Sequence, residues 1–205
     1  AGVLIGSGGE TLGALGDYPG HVATAAFAEI QFAGQTLSVG ANGNNTSYSG
    51  ILTGAGGQLV KLGIGRFPEI DGRANTYTGQ TIVNAGAVQV QNSAALGAAA
   101  GGAAVVTASG ASIQVLGSGL AIGKALILNG TGVSDGGAVQ NLVGGSNTWS
   151  GTIFLNTAST IAADGGTTLT ITGVVSGSGN LTTGSIGTVV LASANTYTGT
   201  TTVQS

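Results

Sequence analysis

Few residues in this 205-residue chain could do chemistry. Its one dense group of charges is Arg66, Glu69, Asp71 and Arg73, with Lys61 close by. Two carboxylates so near each other could act as general acid and base, and the flanking guanidinium groups could hold an anionic substrate. The sole histidine, His21, lies near Asp17 and Tyr18, where a His, Asp and Ser/Thr arrangement is conceivable. Hydroxyl residues are so abundant that almost any histidine would have one nearby, and surface ion pairs are common and energetically small. Both stretches therefore read as contact loops: Asp17, Tyr18 and His21 in one, and Arg66, Phe67, Glu69, Asp71 and Arg73 in the other. No catalytic residue is assigned. Cysteine is absent, the acids are scattered, and the calcium-binding pattern GGxGxD does not occur, so neither a metal nor a cofactor is expected. The glycine-rich "GSGGE" at 6–10 looks like a phosphate loop, but no Gly-Lys-Ser/Thr follows it, and it reads as a tight turn.

Charge excludes further classes. Seven acids and four bases give a net −3 with no basic stripe, which argues against nucleic acid. Thr, Ser, Asn, Gln and Gly break up every apolar run, so no spanning helix is expected. Nine aromatic residues are too few to girdle a lipid-facing barrel.

The elements that must carry these loops repeat. A phrase of Asn, Thr, aromatic, Ser/Thr and Gly occurs at 45–50 (one residue longer), 75–79, 147–151 and 195–199, with Tyr48, Tyr77, Trp149 and Tyr197 as its aromatics. These aromatics are 29, 72 and 48 residues apart, and the last two spacings are multiples of 24. A fixed period of this size marks a solenoid. Between the phrases, "AVQVQ", "SIQV" and "TLTIT" alternate apolar and polar as half-buried strands do. The best helical candidate, residues 93–104, is broken by glycine. The four asparagines are expected to stack as an amide ladder at one corner, and the aromatics to pack structurally beside them.

Longer stretches resemble a known family. "GVVSGSGNLTTGSIGTVVLASANTYTGTTTV" (173–203) is similar to the autotransporter-associated β-strand repeat of bacterial surface passenger domains. "LILNGTGVSDGGAVQNLVGGSNTWSGTIFLN" (126–156) resembles the segment preceding that repeat. "ILTGAGGQLVKLG" (51–63) and "ANTYTGQTIVNAGAVQVQNSAALG" (74–97) extend the likeness over most of 36–205. The resemblance implies an all-β chain folded as a right-handed parallel β-helix (β-solenoid), located outside the cell at a bacterial surface. It implies no particular activity.

The start of the chain reads as a continuation of its end. "AGVLIGSGGETLG" at 1–13 parallels "AGAVQVQNSAALG" at 85–97, which follows the internal copy of the closing phrase. Closed into a circle, the sequence accommodates about 8 coils, with its surplus residues in the two long intervals that hold Pro19 and Pro68. Residues 1–205 are thus expected to form a single solenoid unit continuing head to tail, with Thr202 and Val203 of one unit pairing with Val3, Leu4 and Ile5 of the next. The expected function is structural, as a self-associating unit of an extracellular fibre or matrix. The alternative is the stalk of an autotransporter-type adhesin, with polysaccharide enzymology a distant third. Expected partners are copies of the chain, joined covalently or not, and a host surface or polysaccharide.

Overall fold

The computed structural model describes residues 2–15, 28–68 and 73–204. The described strand pairs are all parallel, and they stack into a three-faced β-solenoid. The first face carries Gly2–Leu4, Glu29–Gln31 and Ile51–Thr53, then Ala121–Ile122, Asn147–Trp149, Thr168–Ile171 and Thr188–Leu191. Between these two groups the chain bridges less regularly, through Thr76 N–H to Leu52 O (2.9 Å) and Ala98 N–H to Tyr77 O (3.0 Å). The second face runs from Glu10–Thr11 through Thr36–Val39, Gln58–Lys61, Thr81–Val83, Ala104–Val106 and Leu126–Gly130 to Val175–Gly177. The third face holds Arg66–Pro68, Gly86–Val90, Ala111–Val115, Val139–Asn141, Leu181–Gly184 and Thr201–Val203. The long strand Ile153–Ala163 turns from the second face to the third and joins them into one 14-stranded sheet.

Register gives the coil length directly. Down the second face, Glu10, Leu37, Leu59, Thr81, Ala104, Leu126, Ile153 and Val175 sit one above another. The steps are 27, 22, 22, 23, 22, 27 and 22 residues, and Thr196 N–H to Val175 O (2.8 Å) adds an eighth coil. The 24-residue period expected from the sequence is therefore corrected to a basic coil of about 22 with occasional longer ones. Tyr77 and Trp149 lie three coils apart on the first face. Trp149, Ile171 and Leu191 then stack within 42 residues, so the 48-residue interval to Tyr197 is two coils plus one face.

The alternation of strand side chains builds the core. Inward positions such as Leu37, Leu59, Val83, Ala104, Leu126, Ile153 and Val175 are buried, while the outward neighbours between them are partly or fully exposed. Apolar columns of this kind remove surface from water at about 25 cal/mol per Å². The turns between faces use positive-φ glycine where an L side chain would be strained, as at Gly8 (φ 106°) and Gly9 (φ 73°) of the "GSGGE" turn. Residues 93–96 form turns, and the short helical piece among the described residues is the 3₁₀ turn Val133–Asp135.

Candidate interaction surfaces and the repeat phrase

The repeat phrase fastens each coil to the one beneath it. Asn75 Oδ1 accepts from Leu52 N–H (2.9 Å), Asn147 Oδ1 from Leu120 N–H (2.8 Å), and Asn195 Oδ1 from Val175 N–H (2.8 Å). Asn45 does the same upward, accepting from Arg66 N–H (2.8 Å). The amides thus bond along the solenoid axis to main chain, not to one another. The expected single-corner ladder does not form, because Asn75 and Asn147 share the first face but lie three coils apart, while Asn195 meets the second face and Asn45 the third. Each aromatic turns inward with its polar tip satisfied. Tyr77 O–H pairs with Thr81 Oγ1 (2.5 Å), Tyr197 O–H with Thr201 Oγ1 (2.6 Å), Trp149 Nε1–H with Lys124 O (2.9 Å), and Tyr48 O–H with Ala28 O (2.9 Å). The closing glycine is required by proximity. A Cβ on Gly79, Gly151 or Gly199 would lie 2.1–2.2 Å from a carbonyl oxygen of the coil below.

The expected contact residues divide into three groups. Asp17, Tyr18, His21, Glu69 and Asp71 lie outside the described residues. Arg66 is exposed at the start of Arg66–Pro68 and borders an open groove with Asn45, Thr46, Ser47, Gln89 and Gln91. Arg73 is half-buried, and its main-chain carbonyl accepts from Asn92 Nδ2. Phe67 is a correction: it lies within a strand, opposite Val88, and is 1% exposed because the alternation that points Arg66 outward points its neighbour inward.

Among the described residues, the strands Gly2–Leu4 and Thr201–Val203 are each paired on one side. Val3 and Leu4 in Gly2–Leu4 are 56% and 73% exposed, and Ile5 is half-buried against the aromatic core cluster. At the opposite end Thr202 is exposed, and Val203 (79%) borders a recess lined by Thr183, Gly184, Val189 and Leu191. A strand edge of this kind can accept a further parallel strand.

The burial of two lysines escaped the sequence reading. Lys61 is fully buried in a column between Val39 and Val83, its ammonium donating to the carbonyls of Leu62, Gly63 (2.8 Å) and Ala85 (3.3 Å). Lys124 is also buried and donates to Ala98 O (2.8 Å) and Gly79 O (3.5 Å), with Nζ 5.8 Å from the Tyr77 ring centre. Burial lowers the pKa of each to about 8. The signal available beforehand was position: in "QLVK" the lysine falls on the inward phase of the alternation. Among the described residues, no group of three or more His, Cys, Asp or Glu could hold a metal ion.

Comparison with known proteins agrees with the geometry of the phrase. The model of the passenger-associated-transport-repeat family matches residues 69–90 and 181–205, the two segments that contain the equivalent pairs Tyr77–Thr81 and Tyr197–Thr201. The chain is similar to the adhesin BmaC autotransporter of Brucella suis biovar 1 (strain 1330), 32% identical over 175 residues, which is 82% of this chain and 4% of the relative. No solved structure matches the chain. With the same coil-to-coil fastening in each, the two matched segments carry the passenger-associated-transport-repeat, in line with the resemblance read from the sequence.

Proposed function

We propose that this chain is a segment of the rigid stalk of a surface-exposed, autotransporter-type adhesin passenger, with a structural rather than catalytic task. The observation that carries this reading is the unbroken stack of about eight coils, each hydrogen-bonded to the next, in a chain similar to a small part of a much longer adhesin. A solenoid of this kind advances about 4.8 Å per coil, so the segment spans about 38 Å of stalk. Its interior is filled by side chains, and the exposed Arg66 lies on its flank, where a host surface or polysaccharide could be met. Electron microscopy of the purified chain tests this: short rods of that length are expected, whereas globular particles would overturn the reading.

A second reading joins separate copies end to end into a fibre, in which pairing Gly2–Leu4 of the first face with Thr201–Val203 of the third requires the next copy to be turned by one face about the axis. Micrographs would then show long uniform filaments that dissociate to the monomer mass on denaturing electrophoresis. Leu4→Pro removes a ladder donor and should abolish them while leaving the β-rich circular dichroism intact. Filaments that persist in Leu4→Pro would exclude this joint.

A further inference from the structure

The outward side of the second face carries a column of apolar side chains that stack on one another in register and keep part of their surface exposed. Val60, Ile82, Val105, Ile127 and Phe154 are direct register partners on five consecutive coils. Each sits on the outward phase of its strand, between two buried inward neighbours; the first four are half-buried, and Phe154 is 44% exposed. The column stops at a serine on either side, Ser38 before Val60 and Ser176 after Phe154. Its polar flanks are already engaged along the axis. Gln58 Nε2 donates to Gln80 Oε1 (3.3 Å), Asn129 Nδ2 to Val106 O (2.8 Å), and Asn156 Nδ2 to Asn129 Oδ1 (2.7 Å).

The geometry points to this face as a lateral docking surface for a second copy of the same face. An apolar centre, an amide and hydroxyl rim, and no charge together make up the composition of an interface core. A charged partner would lose hydration against it without compensation. The five steps share the strand spacing of about 4.8 Å, and another stack of coils is a surface with the same repeat. Volumes favour one arrangement. A two-fold axis lying in the interface, parallel to the strands and level with Val105, sets Val105 against Val105, Ile82 against Ile127, and the small Val60 against the large Phe154. The face measures about 24 Å by 14 Å from strand spacing and rise. Two such faces bury about 700 Å², below the ~1,200 Å² of a stable pair. The contact is therefore weak for this segment and gains strength by avidity along a longer stalk.

Because the chain has no cysteine, single cysteines report the geometry cleanly. In the full chain, Val105→Cys should oxidise to a disulfide-linked dimer. Ile82→Cys and Ile127→Cys should each stay monomeric alone and cross-link when mixed, since the offset of like positions exceeds the reach of a disulfide. Independently, Ile127→Lys should raise the dissociation constant measured by sedimentation equilibrium at least ten-fold. Thr170→Lys, outward on the first face, should leave it unchanged, with circular dichroism confirming the fold of both. A wild-type chain that sediments as a monomer at millimolar concentration would overturn the proposal, as would cross-linking of Ile82→Cys with itself as readily as Val105→Cys. Rods or filaments in the micrographs bear on the stalk and its end joints, so those readings and this one can fail separately.

Discussion

Residues 75–81 and 195–201 have nearly the same sequence and the same local bonds, yet they sit in different surroundings. In both, asparagine caps the coil below and tyrosine reaches a threonine four residues on. Tyr77 is fully buried, packs 5.4 Å from the Phe32 ring and lies beneath the Lys124 ammonium. Tyr197 is only half-buried, on a different face. The phrase thus specifies how one coil is fastened to the next, while the neighbouring coils decide how much each fastening stabilises the fold.

The comparison breaks most visibly when the rings are removed. Tyr77→Ala should cost about 3–5 kcal/mol through cavity formation, and Tyr197→Ala about 1–2 kcal/mol from lost partial burial. Urea unfolding followed by the fluorescence of Trp149, the single tryptophan, measures both. Similar costs at the two sites would mean that the phrase, not its setting, carries the energy. The caps come next. Asn75→Ala leaves the buried Leu52 N–H and the Ala95 carbonyl short of a partner, at about 1–3 kcal/mol. Asn195→Ala should cost about 1 kcal/mol or less, because water can reach its site.

A pH scan sharpens the contrast, since the interior phrase has Lys124 beside it. Its folded pKa of about 8 lies below the ordinary 10.5. Between these values the unfolded chain binds the extra proton, so stability should rise as pH climbs from about 8 to 10.5 and be lost as pH falls back. Lys61 acts in the same sense. Lys124→Met together with Lys61→Met should flatten the profile, and a slope that survives would place the titration elsewhere. The smallest effect is expected from Tyr77→Phe, about 1 kcal/mol for the bond to Thr81, against almost none for Tyr197→Phe, where water can substitute.

The solenoid and its eight coils were legible because the phrase recurs and the strands alternate, both local properties. The coil length was misjudged because Trp149 and Tyr197 carry the same phrase on different faces, a relation that only the stacking of Trp149, Ile171 and Leu191 reveals. Phe67 was misplaced for a related reason. Its neighbours Arg66 and Pro68 look like a loop, but the strand continues through them and turns the ring inward. Lys61 and Lys124 were hidden by the expectation that charge lies outside, which the carbonyls of Gly63, Ala85 and Ala98 overturn by standing in for water. The column from Val60 to Phe154 was also invisible, since its members are about 22 to 27 residues apart and meet only in register.

The main-chain bonds between coils run along the solenoid axis, which makes the molecule mechanically directional. Tension applied between residues near opposite ends loads every layer of bonds in series, and the terminal coil, paired on one side among the described residues, peels first. Each coil of 20 to 27 residues releases about 65–95 Å of chain at full extension. Pulled lengthwise, the protein should therefore lengthen in a staircase of nearly equal steps, each dissipating work at modest force while the remaining coils stay intact.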